Sequence, residues 1–461
     1  MIGQRASIRR AWDLFRDPVT AEKRNLLKER WSQLSPQVKI AGQGFGQKAT
    51  GCGATVGIQP KCDFSCTGCY LGSEANRVPA MPVNAVLEQL RLLRQHLGPK
   101  SNVQVTDGEV TLRPVEEVVE ILSYARTIGV VPMLMTHGDT FRRQPGLLER
   151  LMTEANLTEV SIHIDITQRG RDGYRAPRNE NELMPLRDEF ADMVRQARRS
   201  TKRPLRAATT VTVTSDNIGQ LADIIRWSFE NRDAFSLISL QPLAQVGRTR
   251  KNLEGVTPQT VWAEIARGLE PSGARFQGAE PMHFGHPECT RFVSFMAIER
   301  RGERKLMQFI RDHPDDIAVM EEYFKLGIAG AAFRDDDAME MIARGAGMLA
   351  RAPRWMFARA WKWFDSRVRS EAGLSLRRLL AECALGKSKL SSFTVTSHHF
   401  MSPAELGTEL GQQRLAACVF RLPHNGEMVP MCQMNAGGVR DQVYAEITQR
   451  AAESAATAAH A

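Results

Sequence analysis

Short runs of apolar and β-branched residues alternate with amphipathic segments over residues 54–242 of this 461-residue chain. The runs predict strands at residues 54–60, 103–106, 131–136, 159–164, 207–214 and 236–242. The segments between them have apolar residues at helical spacing and predict helices at 83–97, 115–127, 146–154, 186–198 and 219–230. Because strands that alternate with helices pair in parallel, the pattern predicts an α/β fold with a parallel sheet.

The alternation is absent on both sides of this region. Residues 1–50 are polar and basic, with helical candidates at 8–15 and 21–34, and predict an N-terminal helical extension. Residues 251–450 predict a largely helical C-terminal accessory domain, interrupted by a strand pair at 292–300 and 305–310. We expect residues 451–461 to form a disordered tail, so that the predicted core occupies residues 51–250.

Polar residues and glycines stand where the predicted strands end. Thr106-Asp107-Gly108-Glu109 follows the second strand, a polar segment from His163 to Arg169 follows the fourth, and Gln241 ends the sixth. Any one of these segments is most simply a solvated turn. The carboxyl ends of parallel strands meet at one edge, where parallel barrels carry their reactive groups. The shared position therefore predicts one site at that edge.

A loop with three cysteines, Cys62, Cys66 and Cys69, follows the first predicted strand. Four thiolates would complete a structural zinc site, whereas three on one tight loop suit a cubane iron–sulfur cluster whose fourth iron lacks a protein ligand. The chain has 8 cysteines, which is too few for a disulfide scaffold at this length. We therefore interpret the three as ligands of an iron–sulfur cluster in a reducing compartment.

Further cysteines follow the predicted core. Each one alone is most simply a small buried side chain. Two of them frame a predicted β-hairpin that turns at Asn425-Gly426, so their thiols are expected to meet. Cys52 is too close to the first strand to be selected. We predict an auxiliary iron–sulfur cluster with ligands drawn from Cys289, Cys383, Cys418 and Cys432.

The spacing of Cys62, Cys66 and Cys69 resembles the signature of the radical S-adenosylmethionine (radical SAM) superfamily. The resemblance implies an open partial (β/α)6 barrel and a [4Fe–4S] cluster whose free iron binds the methionine moiety of SAM. It also implies reductive cleavage of SAM to a 5′-deoxyadenosyl radical, which removes hydrogen from an unactivated carbon. A flavodoxin- or ferredoxin-type protein is the electron donor that this chemistry implies.

The same resemblance suggests which residues bind SAM. Asp107-Gly108-Glu109 occupies the place of the glycine-glycine-glutamate motif that holds the SAM amino group. Ribose hydroxyls would bind Asp165 with His163 or Gln168, the carboxylate would bind Arg169 or Arg171, and adenine and ribose would lie near Gln241 and Arg248. The superfamily often has an aromatic residue before the third cysteine, where this chain has Gly68. Adenine stacking would therefore come from Tyr70 or from a residue elsewhere in the chain.

A narrower resemblance concerns the radical SAM group that includes the tetraether lipid synthase. It rests on Gly51-Cys52-Gly53-Ala54-Thr55, the segments 106–109 and 163–171, and His399-Phe400-Met401 followed by Cys418 and Cys432. It implies an apolar, lipid-like substrate. No close cysteine pair occurs in residues 1–50, so the rubredoxin-like site of that group is not expected there.

The chain carries a formal charge of +9, which favours an anionic partner. A predicted basic helix at 354–369 places Trp355, Trp361 and Trp363 along its apolar face, which fits a membrane surface. The alternative is a helix packed on the barrel with its basic side in water. The sequence shows no membrane-length apolar run and no signal peptide. We expect a cytoplasmic protein, either free in the cytoplasm or peripheral at the inner face of the membrane.

Three functional hypotheses follow. The first is a radical SAM enzyme, an oxidoreductase or a carbon–carbon bond-forming transferase, acting on a small apolar or lipid molecule. The second keeps this chemistry with a peptide substrate, although the dense C-terminal cysteine array of the peptide-modifying enzymes is missing. The third is a zinc-stabilised nucleic-acid-binding protein. The chain offers no fourth zinc ligand near the three cysteines and no recognisable nucleic-acid recognition module. No nucleic-acid partner is therefore expected.

Overall fold

One mixed sheet organises the chain in a computed structural model that describes residues 2–51, 54–274, 276–326, 329–331 and 338–460. The sheet has 11 strands in the order β11-β10-β1-β2-β3-β4-β5-β6-β9-β7-β8. The strands are β1 Ala54–Gln59, β2 Asn102–Asp107, β3 Val131–Thr136, β4 Glu159–His163, β5 Arg206–Val213, β6 Phe235–Pro242, β7 Thr290–Arg300, β8 Glu303–Gln308, β9 Ser388–His398, β10 Arg421–His424 and β11 Glu427–Pro430.

Strands β1 to β6 pair in parallel in chain order and form the predicted open partial barrel. Their residues alternate between two environments. Val103 and Val105 of β2 are fully buried in the core beneath the surrounding helices, whereas Gln104 and Thr106 line the inside of the curved sheet. This period of two places apolar residues outside the barrel and polar residues inside it.

Helices cover the outer face of the sheet and occupy most of the C-terminal half. Their apolar faces pack on the strands, as Leu90 and Leu93 do from α3. The helices are α1 Ile2–Arg16, α2 Ala21–Gln33, α3 Val83–Leu97, α4 Val115–Thr127, α5 Asp139–Arg143, α6 Leu147–Glu154, α7 Met184–Thr201, α8 Leu221–Glu230, α9 Pro258–Leu269, α10 Pro314–Lys325, α11 Ala338–Arg351, α12 Arg354–Ala372, α13 Leu376–Ala384, α14 Pro403–Leu406, α15 Glu409–Ala416, α16 Met431–Ala436 and α17 Val439–His460.

The C-terminal half extends the sheet at both edges, which the sequence did not predict. Strand β9 pairs in parallel with β6, and the antiparallel strands β7 and β8 follow it. At the opposite edge β10 pairs in parallel with β1 at Ala54 and Arg421. The predicted hairpin is confirmed, since β10 and β11 are antiparallel and turn at Asn425-Gly426 with φ of 48° and 81°. Five strands from residues 251–450, β7 to β11, are therefore part of the same sheet as the barrel.

The two ends of the chain are helical. The predicted N-terminal helices correspond to α1 and α2, and α2 is anchored where Arg30 contacts His96 at the end of α3. Helix α17 continues to His460, where the sequence analysis expected a disordered tail, because its alanine-rich end favours helix. Among the described residues, no helix combines the length and the apolar character needed to span a bilayer.

Candidate functional site

The cysteine loop lies at the carboxyl edge of the sheet, between two neighbouring loops that hold it by backbone hydrogen bonds. On one side the Thr67 amide donates to the Thr167 carbonyl (2.8 Å) in the loop after β4. On the other side the Arg250 amide donates to the Thr67 carbonyl (2.9 Å), and the Arg248 amide donates to the Cys69 carbonyl (3.1 Å). The loops after β4 and β6 thus fix the loop that carries Cys62, Cys66 and Cys69.

The three thiols of this loop line one cavity and form no disulfide. Burial raises the pKa of Cys62 to about 12 and raises that of Cys66 further, with the neighbouring thiols adding to both shifts. Within the described part of the chain, the only group compact enough for one ion joins Cys62 to Asp63 and His137, with ligand atoms within 4.8 Å. The three sulfurs are therefore spaced too widely for a single zinc ion.

The cavity has a volume of about 210 Å³ and two chemically different walls. Polar side chains from the inner face of the barrel form its floor. Among the described residues, Thr55 Oγ1 is buried there without a hydrogen-bond partner. The floor consists of Thr55, Gln104, Thr106, Ser161, His163, Thr210, Thr212 and Gln241. Apolar side chains from the chain after β6 and from the C-terminal half form its roof, namely Leu243, Val246, Phe400, Met401, Phe420 and Met431.

The segment after β2 is fixed against the start of the cysteine loop. A Cβ atom on Gly108 would lie 2.3 Å from the Lys61 carbonyl oxygen and 2.4 Å from that of Pro60, so only glycine fits. The Glu109 carboxylate accepts from the Thr111 amide and hydroxyl, the Thr136 hydroxyl (2.6 Å) and the His137 amide (2.8 Å). Four donors occupy most of a carboxylate's capacity. Glu109 thus joins β2 to β3, and its contact with a SAM amino group stays a prediction.

Asp107 forms a buried ion pair with Arg440 of α17, a partner that the sequence analysis missed. The two side chains are each 8% exposed and hydrogen-bonded. Arg440 also lies over the Tyr70 ring at 4.8 Å, and the Tyr70 hydroxyl donates to the Asp107 carbonyl (2.7 Å). Burial raises the pKa of Asp107, and the Arg440 guanidinium opposes that shift. Asp107 therefore binds helix α17 to the rim of the cavity.

Replacing Arg440 by leucine is expected to destabilise the chain strongly, because it leaves the Asp107 carboxylate buried without a counter-charge. Loss of one partner of a buried pair costs about 3–5 kcal/mol. The double variant Asp107→Gly with Arg440→Leu should recover most of this loss, since the unpaired charge is gone and glycine suits the φ of 122° at residue 107. Urea unfolding midpoints measure both effects.

The matched control is Arg450→Leu, on the same helix. Arg450 is 70% exposed and lies 3.6 Å from Glu446, so its loss should change stability by less than about 0.5 kcal/mol. Equal destabilisation in the single and double variants at 107 and 440 would contradict the assigned ion pair.

His163 and Asp165, which the sequence predicts as ribose-binding residues, differ in their access to the cavity. His163 lines the cavity, but Asp165 is buried and does not. Asp165 accepts from the amide and hydroxyl of Thr167, from the Thr212 amide (2.7 Å) and from His163 Nε2 (2.6 Å). Burial alone would raise the pKa of Asp165, but His163 and these donors lower it to about 2. Asp165 therefore orients the His163 ring by this hydrogen bond, and His163 is the one of the two residues that lines the cavity.

The arginines predicted for the SAM carboxylate, Arg169 and Arg171, do not line the cavity. Arg169 donates to the carbonyls of Ile166 and Gln168, and buried Arg171 donates to the His137 carbonyl (2.8 Å) and to Gln168 Oε1 (2.7 Å). Because both arginines donate mainly to backbone carbonyls, their function is to stabilise the loop after β4. Gln168, fixed in this way, does line the cavity.

Arg248 is the arginine that lines the cavity beside the cysteine loop. Tyr70 and Gln241 also line it, as the sequence analysis proposed. A Cβ at Gly68 would lie 2.8 Å from Leu243 Cδ1, so a larger residue there would require the Leu243 side chain to move. The stacking function of Tyr70 stays a prediction.

A second group of three cysteines, Cys289, Cys418 and Cys432, meets at the end of β9. The His399 amide donates to the Cys289 carbonyl (2.8 Å), and the Met401 amide donates to Cys432 Sγ (3.3 Å). Burial, together with the neighbouring Cys289 thiol, raises the pKa of Cys418 to about 11 and that of Cys432 to about 12. Cys432 lines the same cavity as the first three cysteines.

Cys383 is not part of this second group, contrary to the sequence prediction. It ends α13 and packs in a separate apolar cluster with Leu376 and Leu379. That cluster lies near Ser388 at the start of β9, whereas Cys289 lies near His398 at its end. Ten residues of extended strand separate the two positions by about 33 Å. Cys52, which the sequence analysis did not select, lies outside the described residues.

Comparison with known families identifies the barrel. Residues 56–228, which span β1 to α8, match the family described as the Radical SAM superfamily. These residues, a little over a third of the chain, form a radical SAM domain. The cofactors of this superfamily are a [4Fe–4S] cluster and S-adenosylmethionine. The narrower likeness to the tetraether lipid synthase group is not among the matches, and the zinc-dependent nucleic-acid-binding hypothesis has no support from them.

Similar individual proteins cover only parts of this chain. A 7,8-dihydro-6-hydroxymethylpterin dimethyltransferase from Methanocaldococcus jannaschii is 23% identical over 212 residues, which are 45% of this chain and 40% of that protein. The chain thus spans about two fifths of the length of this curated relative. Native anSMEcpe with bound AdoMet and Cp18Cys peptide is 13% identical, with a TM-score of 0.34 over 48% of this chain and 58% of that one. SuiB of Streptococcus suis is 15% identical, with a TM-score of 0.32 over 47% and 45%.

The donor set at the first cysteine group fits the cluster of this superfamily. Three thiols on one fixed loop, spaced more widely than a single ion allows, suit three different irons of a cubane. Buried thiols with raised pKa values are stable as protonated thiols or as metal-bound thiolates. The unpartnered Thr55 hydroxyl in the floor leaves a polar position for a ligand such as a nucleoside.

Proposed function

We propose that this chain is a radical SAM enzyme that removes hydrogen from an unactivated carbon of an apolar substrate, which binds between the two cysteine groups. The single observation that carries the proposal is the cavity, whose lining combines the first cysteine group, polar side chains from the inner face of the barrel, apolar side chains and Cys432. When bound, the reduced cluster supplies the electron that cleaves SAM and yields the radical that takes the hydrogen atom.

The polar floor suits the nucleoside and amino-acid groups of SAM. His163, oriented by Asp165, and Gln241 present hydrogen-bonding groups to the ribose and adenine side of the cavity. The Arg248 guanidinium, beside Cys69, suits a carboxylate. Tyr70, held by its bond to the Asp107 carbonyl, offers its ring to adenine.

The apolar roof suits a hydrocarbon segment of the substrate. Phe400 and Phe420 meet edge to face at 5.9 Å, and Met431 lies next to them. Such side chains exclude water and have no easily abstracted O–H or N–H hydrogen. They would hold a substrate carbon in van der Waals contact with the SAM side of the cavity.

We further propose that Cys289, Cys418 and Cys432 bind an auxiliary iron–sulfur cluster. The three thiols at the end of β9 would supply the metal-binding sulfurs. The Arg414 guanidinium beside Cys289 would balance part of the negative charge of the thiolates. Because Cys432 lines the cavity, this centre would lie next to the substrate and could bind a polar group of it or pass an electron. A flavodoxin- or ferredoxin-type protein is the proposed donor to the first cluster.

Deuterium transfer tests the substrate class. Reduced, reconstituted protein is mixed with SAM and one of three perdeuterated extracts: lipids, peptides or water-soluble small molecules. Mass spectrometry then measures deuterium in the 5′-deoxyadenosine that is released. We expect deuterium from the lipid extract. Deuterium from the peptide extract alone would replace the proposed substrate by a peptide, and release of 5′-deoxyadenosine from none of them would refute the activity.

Phe420→Ser is expected to separate SAM cleavage from substrate turnover. The change places a hydroxyl in the apolar roof and removes the ring that contacts Phe400 and His398. Deuterium transfer should fall by about tenfold or more, whereas SAM cleavage without substrate should stay within about twofold, because no part of the first cysteine group is altered. Equal loss of both activities would contradict a substrate-binding function of the roof. Exposed Phe309→Ser provides the control.

A second candidate function is transfer of a one-carbon group to a heterocyclic substrate. The observation that favours it is the likeness to the pterin dimethyltransferase, together with the polar floor. This candidate predicts deuterium transfer from the water-soluble extract, or methylated products there, and the same experiment therefore distinguishes it from the lipid proposal.

A further inference from the structure

Helix α11 is oriented with its charged side inward and its apolar side outward. Glu340 and Arg344 are 5% and 4% exposed, whereas Ile342 is 73% exposed and Leu349 is 57% exposed. At about 100° per residue, Ile342 and Leu349 lie on the side of the helix opposite to Glu340 and Arg344. An ordinary surface helix has the reverse arrangement, so the outer face of α11 requires an explanation.

Contacts with α1 explain the inward charges. Glu340 pairs with Arg10 (2.7 Å), Arg344 donates to the Pro18 carbonyl (2.5 Å), and Arg351 donates to the Phe15 carbonyl (2.9 Å). Gly347 lies against the backbone of Phe15 with no space for a Cβ. These contacts fix the rotation of α11 about its axis, so the outward position of Ile342 and Leu349 is built into the fold.

Exposed apolar side chains also occur on α1, which packs against α11, and on α12, which follows α11 in the chain. Trp355 and Phe357, in the first turn of α12, are 59% and 50% exposed, and Trp12 of α1 is 58% exposed. The other predicted tryptophans of α12 turn inward, since Trp363 Nε1 donates to Asp316 (2.8 Å) and Trp361 packs on an internal cluster. We call the exposed apolar residues of these three helices the helical face, namely Trp12, Met339, Met341, Ile342, Leu349, Trp355 and Phe357.

The three helices also have a net positive charge that is close to the net charge of the whole chain. Their sequences contain 11 Arg and Lys residues and 4 Asp and Glu residues, a net charge of +7, against +9 for all 461 residues. Arg9, Arg16, Arg354 and Lys362 of α1 and α12 are exposed. Exposed aliphatic and tryptophan side chains combined with this charge fit a surface that is apolar inside and anionic outside.

We propose that the helical face docks on the anionic surface of a lipid bilayer, with Ile342 and Leu349 in the interfacial layer and the basic residues at the headgroups. This inference does not depend on the substrate of the enzyme. Nucleic acid would be a poorer partner, because its phosphates match the charge but leave the aliphatic side chains without an apolar environment. A second copy of this chain would bring like charge against like charge.

Vesicle co-sedimentation of the full reconstituted protein tests this proposal. The probes are vesicles of phosphatidylcholine alone and of phosphatidylcholine with phosphatidylglycerol. We expect binding to the anionic vesicles, weakened by salt, and at least about tenfold weaker binding for Ile342→Glu with Leu349→Glu. The control is Leu385→Glu with Leu410→Glu, which alters exposed leucines (68% and 47%) on other elements and should stay within about twofold of the unchanged protein.

Three results would overturn the proposal. The first is the absence of binding to anionic vesicles, and the second is equal binding by the two double variants. The third is a stable dimer in mass photometry that the Ile342 and Leu349 changes convert to monomer without any vesicle binding, which would assign the helical face to a second copy. Circular dichroism and iron content of each variant establish that folding and cluster assembly are unchanged.

Discussion

Replacing Cys66 by alanine is expected to abolish release of 5′-deoxyadenosine from SAM and to remove about four irons per chain. Cys66 is the second of the three cysteines in the loop after β1. The segments after β4 and β6 hold this loop on both sides by backbone hydrogen bonds. With two thiols left, a cubane would have two irons without protein ligands, and the fixed backbone cannot bring another cysteine to the vacant position. Chromatographic assay of the nucleoside and iron analysis of reconstituted protein measure the two losses.

Cys383→Ala is the matched control for this change. It also removes one thiol from the chain, but from an apolar cluster on α13 that is distant from both cysteine groups. Iron content and SAM cleavage should equal those of the unchanged protein. Undiminished cleavage in the Cys66 variant would separate the cluster from the mechanism, and equal loss in both variants would indicate a general failure to fold or to assemble clusters.

The barrel and the cysteine loop could be predicted because their signals are local. A period of two in β2 and a helical period in α3 each lie within a short stretch of sequence, and parallel pairing follows from their alternation. The hairpin at Asn425-Gly426 is local in the same sense. The geometry of these elements is determined by residues that are close to one another in the sequence.

The pairing of the C-terminal strands could not be predicted because it is not local. Strand β9 joins β6 across about 150 residues, and β10 joins β1 across more than twice that distance in the sequence. Strand β9 does have a signal, since Phe393 and Val395 are buried and alternate with polar residues. Because residues 388–398 were not predicted as a strand, the C-terminal region was predicted as a domain apart from the barrel.

The function of a polar residue at a strand end also depends on tertiary contacts. Asp107 and Asp165 stand at equivalent places in the sequence pattern, yet Asp107 pairs with Arg440 and Asp165 accepts four donors away from the cavity. An arginine on a helix is usually solvated, so Arg440 gave no signal of its own. The available signal was Asp107 itself, because a carboxylate in place of the motif's glycine requires a counter-charge when it is buried.

Alanine at Cys418 or Cys432 is expected to reduce the iron content from about eight to about four per chain without abolishing SAM cleavage. The two cysteine groups belong to different elements, the first to the loop after β1 and the second to the segments around the end of β9. Loss of a ligand in the second group therefore leaves the first group's supporting hydrogen bonds intact. Iron analysis and electron paramagnetic resonance of the reduced protein distinguish one cluster from two.

Substrate turnover should respond differently from SAM cleavage in these variants. Cys432 lines the cavity and accepts a hydrogen bond from the Met401 amide, so loss of the metal centre proposed there would change the cavity wall against which the proposed substrate rests. Deuterium transfer should fall by about tenfold or more while cleavage without substrate stays within about twofold. Full iron content in both variants would refute the second metal centre. Loss of all iron in both variants would mean that the clusters of the two cysteine groups assemble only together. The prediction that the two clusters form independently would then be wrong.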